Sequence, residues 1–243
     1  MTFLLVMLHT GTMFAVIVYF WRAWRRSFFA DAVQFKWAAL RVTAATVLTG
    51  VIYLGLKEVI ERGFMRGSDK AEVEQLFSNL WLIGGALVAA GLIILISAPR
   101  QNRSDARTDL TLGDAGWIGA VQGLCLPFRG FSRSGATIST GLLRGVAKLQ
   151  AEEFSFALAV VLTPAAIAQE LLRLHRSHPE SATPGNLLHL AGPGLVGMVC
   201  SFAAGLLALR WLSSWLERGR WQHFGFYCLG AAAVIFILAA GGL

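Results

Sequence analysis

Apolar residues run through this chain in long blocks, separated by short polar and basic stretches. Six blocks are long enough, or nearly so, to cross a ~30 Å hydrocarbon core as helices. They cover residues 1–21, 38–56, 77–98, 153–172, 187–209 and 222–242. The stretch from Asp114 to Leu149 breaks the pattern. It holds two shorter apolar runs, Ala115 to Leu126 and Gly135 to Ala147, on either side of Pro127, Arg129, Gly130 and Arg133. Runs of that length predict a re-entrant segment, and non-helical backbone at depth has to line a protein cavity.

Charge decides how that stretch is threaded. Arg22, Arg25 and Arg26 follow the first block, which predicts an outside start and a cytoplasmic first loop. If 114–149 enters and leaves on one face, the cytoplasmic loops hold 13 basic residues and the outer loops six. If it crosses once, the tally becomes 10 against nine. The positive-inside bias therefore predicts a hairpin.

The resulting layout is all-α and polytopic, with about six transmembrane helices and one re-entrant helical hairpin in a single membrane domain over 1–243. Residues 1–98 supply three spans, and 114–242 supply the hairpin 114–149 and three more. This reads as an incomplete inverted repeat. Trp21, Trp24, Trp37, Trp81, Trp211 and Trp221 fall near span ends, as an interfacial aromatic belt predicts.

Composition agrees with that layout and narrows the function classes. The chain is 56% hydrophobic and 14% charged, with a mean hydropathy of +0.60. Its net charge of +7 comes from basic residues beside apolar spans, which points to loops rather than to nucleic acid. Cys125, Cys200 and Cys228 lie in apolar surroundings without metal-ligand spacing, so neither a disulfide framework nor a metal site is predicted from them.

The candidate chemistry lies between the hairpin's two runs, in Gly130-Phe131-Ser132-Arg133-Ser134-Gly135-Ala136-Thr137-Ile138-Ser139. Small residues alone serve helix packing, but packing does not explain an arginine at membrane depth. A guanidinium fork matches phosphate oxygens, neighbouring hydroxyls add donors, and a helix starting near Ser134 would favour the same anion. The prediction is capture of an oxyanion, most simply phosphate. There is no Walker-type Gly-rich Lys motif, HExxH or CxxC, so nucleotide hydrolysis and thiol chemistry find no support.

The ten-residue stretch, with Ile118-Gly119 and Gln122 before it and Gly145-Val146 and Glu152-Glu153-Phe154-Ser155-Phe156 after it, closely resembles the second signature of the undecaprenyl-diphosphate phosphatase (bacitracin-resistance phosphatase) family. Leu8-His9-Thr10-Gly11-Thr12 near the start and Phe224-Gly225-Phe226-Tyr227 near the end extend the likeness over essentially the whole chain. The resemblance implies an integral enzyme of the bacterial inner membrane that hydrolyses undecaprenyl diphosphate to the monophosphate and so recycles a cell-wall carrier lipid. It implies Arg133 and Ser132 as catalytic residues and Ser134, Gly135 and Thr137 as substrate-binding ones. A divalent cation, Mg²⁺ or Ca²⁺, is an expected cofactor, although no ligand for it is identified in the sequence. Undecaprenyl diphosphate, membrane lipids and a second copy of the chain are the expected partners.

Three departures from the family pattern bear on function, one of them Cys228, where the family often has Arg after its Phe-Gly-x-Tyr element. The family's acidic signature, Glu-x-x-x-Glu-Phe-x-Pro-x-Ser-Ser-x-Gly-His, would lie upstream of Met1 and is not among these residues. A chain without it is expected to hydrolyse weakly, which keeps open a second reading: a non-catalytic binder or transporter of polyprenyl phosphates. Pro127-Phe128-Arg129 is one residue longer than the family's usual approach to the motif and adds a second arginine. Other polar residues have simpler expectations. His9 is expected to be a satisfied bundle histidine or a phosphate-orienting one. Glu152 and Glu153 are expected to complement a helix dipole, and 57–74 to form a solvated outer loop.

Overall fold

The computed structural model describes residues 2–64, 79–177 and 184–241. Its elements are α1 (Thr2–Ser27), α2 (Ala32–Phe64), α3 (Leu80–Ser97), a 3₁₀ turn (Ala98–Asn102), α4 (Leu112–Cys125), α5 (Arg133–Leu143), α6 (Lys148–Ser177), α7 (Pro184–Glu217) and α8 (Gln222–Ala240). Six of these helices, α1, α2, α3, α6, α7 and α8, are long and apolar enough to cross a membrane. The chain is an all-α polytopic membrane protein.

The helices form two compact units. One comprises residues 1–35 and 156–214, the other 36–155 and 215–243. In the first, α1 and α7 approach through small residues. A Cβ on Gly11 would lie 2.3 Å from the Met198 carbonyl oxygen, and Ser201 Oγ donates to the Leu8 carbonyl at 3.0 Å. Close backbone approach of this kind is how helices associate where lipid removes the hydrophobic drive. Phe20 stacks on Phe156 with ring centroids 4.9 Å apart.

The second unit holds the hairpin. α2 runs against α4, where a Cβ on Gly119 would come within 2.3 Å of the Ala45 carbonyl oxygen. Thr49 Oγ1 lies 2.8 Å from both the Ala45 and the Gly119 carbonyls, and Gln122 Nε2 donates to Thr49 Oγ1 at 3.2 Å. α3 packs along α8, with Leu229 covering Gly91 and Leu95 covering Gly225. α5 lies between α4 and α3.

Local sequence explains the hairpin's ends. Thr111 caps α4 in a reciprocal capping box with Asp114. Ser132 caps α5 by accepting from Gly135 N at 3.2 Å. α5 stops in a Schellman arrangement, with Gly145 at φ +79°, its N–H on the Leu142 carbonyl and the Val146 N–H on the Gly141 carbonyl, both at 3.0 Å. A two-sided backbone pairing of Arg107 with Gly145 and Ala147, each bond 2.8 Å, ties the preceding loop to this corner.

Several sequence expectations change. Four helices, α1, α2, α6 and α7, outrun their apolar blocks. The solvated loop expected over 57–74 is helical as far as Phe64, because Lys57–Glu61 and Glu58–Arg62 form i,i+4 ion pairs. The remainder of that loop lies outside the described residues. α6 begins at Lys148, so Glu152 and Glu153 are not in its first turn, and Glu152 is buried. Trp24 and Trp221 are buried rather than interfacial. The Trp221 indole donates to Ser139 Oγ at 3.1 Å, which gives its N–H the partner that burial demands.

Candidate functional site

The hairpin's base is held by one carboxylate. Asp114 is fully buried and accepts from Thr111 N at 3.1 Å and Thr111 Oγ1 at 2.7 Å. It also accepts from Arg144 Nε and a terminal Arg107 nitrogen, each at 3.0 Å. Burial opposes its ionisation, but the bonds from Thr111, Arg144 and Arg107 outweigh that and hold its carboxyl below the ordinary carboxylate range. Arg100 adds a 2.7 Å bond to the Leu143 carbonyl. Both feet of the hairpin are thus joined at one end.

The tip lies a helix length away. Fourteen residues of α4 rise roughly 20 Å, at about 1.5 Å each, which is short of a ~30 Å core. At the tip the chain turns through Phe128–Phe131, closed by Phe131 N on the Phe128 carbonyl at 3.1 Å. Gly130 supplies φ +94° and lies against Ile83 and Leu87 of α3. A Cβ there would lie 2.9 Å from Ile83 Cγ2, so both the backbone angle and the space call for glycine.

Arg133 is the first residue of α5 and is half-buried. Its electrostatic neighbour is the buried Cys125 thiol at the end of α4. Among the described residues it makes no ion pair or hydrogen bond through its guanidinium. The first N–H groups of a helix have no intrahelical acceptor. Here Gly135 N is satisfied by Ser132 Oγ and Ala136 N by the Ser132 carbonyl, and the N–H groups of Arg133 and Ser134 remain. Ser132 Oγ accepts from Gly135 N and keeps its own proton to donate, and Ser134 carries a second hydroxyl. A fork of charged donors, two hydroxyls and two N–H groups at a helix N-terminus are donor types that suit an oxyanion.

The other two motif residues are placed differently. Gly135 is buried, and a Cβ there would meet Ile94 Cδ1 and Ser132 Oγ, each at 2.8 Å. Its smallness serves the cap and the α3 contact. Thr137 is fully buried. Its hydroxyl donates to the Arg133 carbonyl at 2.8 Å and meets Ser155 Oγ of α6 at 2.5 Å. Sequence reasoning gave no role to Ser155, although it lies inside the matched Glu-Glu-Phe-Ser-Phe element. It also missed Ser139, which joins Ser97 at 2.8 Å and Trp221. His9 belongs to the first unit, where it lines a cavity of about 200 Å³ with Leu5, Val6, Ala166 and Ile167. Its Nδ1 is bonded to the Leu5 carbonyl of its own helix at 2.8 Å.

A divalent cation fits these groups poorly. Mg²⁺ and Ca²⁺ take oxygen ligands, carboxylates above all, whereas the tip offers a guanidinium and donor hydroxyls. Among the described residues no cluster of three or more His, Cys, Asp or Glu forms a metal cage.

Fold and sequence together define a polytopic α-helical membrane protein with a helical hairpin that carries Arg133 at its tip. Over residues 1–234 the chain matches the family described as bacitracin resistance protein BacA, and it belongs to that family. It is 56% identical to undecaprenyl-diphosphatase 2 of Acinetobacter baylyi, over 98% of this chain and 84% of that protein. It is 34% identical to an undecaprenyl-diphosphatase of Thermus thermophilus, over 80% of this chain and 68% of the relative. With a third relative of that name, from Desulforudis audaxviator, identity is 31% over 97% of this chain and 83% of the relative.

Proposed function

We propose that this protein hydrolyses undecaprenyl diphosphate to undecaprenyl phosphate and inorganic phosphate, in the bacterial inner membrane, recycling the carrier lipid of cell-wall synthesis. Family membership and the names of its relatives support the reaction. The observation in this chain that carries it is the uncompensated Arg133 guanidinium at the N-terminus of α5. An arginine at membrane depth is retained for what it binds, and a phosphoryl group satisfies every donor around it.

In this reading Arg133 grips the terminal phosphoryl oxygens in bidentate fashion and stabilises the charge that shifts during transfer. Ser132 and Ser134 donate to the same oxygens, and the N–H groups of Arg133 and Ser134 complete the cradle. Thr137 acts indirectly, holding the Arg133 carbonyl and therefore the first turn of α5. Gly135 lets Ser132 close the cap. The bias of basic residues toward the hairpin's base supports a cytoplasmic base, with the tip reaching into the membrane without crossing it.

The test is phosphate release by the purified protein in detergent micelles supplied with undecaprenyl diphosphate. Release of one phosphate per lipid, with undecaprenyl phosphate accumulating, is expected. Tight binding of the lipid with no phosphate released would replace the hydrolase by a binder or transporter.

A further inference from the structure

The hairpin tip carries a second arginine. Arg129 and Gly130 are the central residues of the Phe128–Phe131 turn, and the +94° φ of Gly130 matches the third residue of a type II turn. Pro127, which precedes the turn, is buried, and Gly130 is seated against Ile83 of α3, so the corner bearing Arg129 is fixed rather than loose. Arg129 is exposed and, like Arg133, makes no ion pair or hydrogen bond among the described residues. The hairpin between Leu112 and Ala147 contains one acidic residue, Asp114. That residue is at the base, where it already holds Arg107 and Arg144. Two guanidiniums therefore stand at the tip with no counter-charge of their own.

Resting on the reading of this site as one for a lipid diphosphate, we propose that Arg129 is a specificity-determining residue that contacts the second phosphoryl group. Arg133 would hold one phosphate in the helix N-terminal cradle, while Arg129, at the exposed corner of the turn, meets the other. The chemistry follows from charge. Two uncompensated cations at membrane depth are best neutralised by a guest with two anionic groups, and a diphosphate presents them where a monophosphate presents one. Arg129 then discriminates substrate from product: once the terminal phosphate has left, the single phosphoryl group of the monophosphate lipid takes the Arg133 cradle, nothing is left for Arg129 to hold, and release is favoured.

The direct test measures the affinities of undecaprenyl diphosphate and undecaprenyl phosphate for the wild-type protein and for Arg129→Ala and Arg129→Lys in micelles. Phosphate-release kinetics are recorded alongside. In Arg129→Ala the diphosphate should bind about tenfold more weakly, as expected for loss of one charge-assisted contact that is partly exposed to solvent, while monophosphate affinity is unchanged. KM should rise in parallel with kcat little changed, and Lys should recover most of the loss because it keeps the charge. Equal weakening of both lipids, or unchanged affinity for both, would overturn the proposal. So would an effect seen only in vesicles containing anionic phosphatidylglycerol and absent in neutral phosphatidylcholine, since that would assign Arg129 to bilayer headgroups. The binding ratio is read whether or not the lipid is hydrolysed. Absence of turnover with the ratio shifted as expected would therefore count against the hydrolase reading alone.

Discussion

Asp114 and Arg144 are thirty residues apart in sequence and meet at 3.0 Å, joining the first turn of α4 to the residue that ends α5. The pair, with Arg107 on the other carboxylate oxygen, closes the hairpin at its base and leaves the tip to carry the chemistry. Asp114→Asn keeps the shape but removes the charge that holds both guanidiniums. A destabilisation of about 2 kcal/mol is expected, the scale of hydrogen bonds to a charged group. The pH dependence follows from the direction of the shift. Asp114 is held below its ordinary value in the folded protein, so its contribution is complete above about pH 4 and is lost as pH falls through the folded value. Thermal midpoints of wild type and Asp114→Asn should differ by a constant amount from pH 8 to pH 5 and converge below about pH 4. A gap that persists in acid would mean the pair is not what holds the base.

The joined hairpin base carries a prediction about topology. With Cys125, Cys200 and Cys228 replaced, single cysteines at Asp105→Cys and Gln150→Cys should both be protected from an impermeant thiol reagent added to intact cells, and both should react after permeabilisation. Labelling of position 150 from outside with position 105 protected would mean a full crossing.

Thr137 and Ser155 supply a subtler expectation, because one hydroxyl pair joins α6 to the carbonyl of Arg133. Ser155→Ala should lower kcat/KM about fivefold, the value of one modest hydrogen bond, with Ser155→Thr close to wild type. Since both hydroxyls act through the same contact, Thr137→Val with Ser155→Ala should cost little more than Thr137→Val alone. Fully additive losses in the double variant would show that Thr137 works independently, as a direct donor to substrate.

The hairpin was legible in the sequence because two separate signals agree: apolar runs too short to span, and basic residues collected on one side of the remaining spans. The caps at Thr111 and Ser132 lie in recognisable hydroxyl positions, and Arg133 stands out as an ion where packing needs none. What was hidden depends on neighbours distant in sequence. Trp221 resembles any belt tryptophan until Ser139, eighty-two residues away, gives its indole a buried partner. Ser155 is one serine in an apolar helix until Thr137 comes within hydrogen-bond reach. Glu152 was misplaced because the turn at Gly145 is short enough to start α6 at Lys148, which moves the glutamate from the helix start to a buried second turn. The helical extension through Lys57–Arg62 was missed because solvated charges were read as loop, although their i,i+4 spacing stabilises helix.

The central claim is that the guanidinium of Arg133, at the N-terminus of α5, binds and polarises the phosphoryl group. It is tested most directly by phosphate release from undecaprenyl diphosphate by wild type, Arg133→Ala and Arg133→Lys, each checked for folding by its thermal midpoint. Arg133→Ala should lose about 10²- to 10³-fold in kcat/KM, the scale of removing a principal oxyanion donor. Arg133→Lys should recover little, since a point charge does not reproduce a bidentate fork. Phosphate release by a folded Arg133→Ala at the wild-type rate would contradict the account.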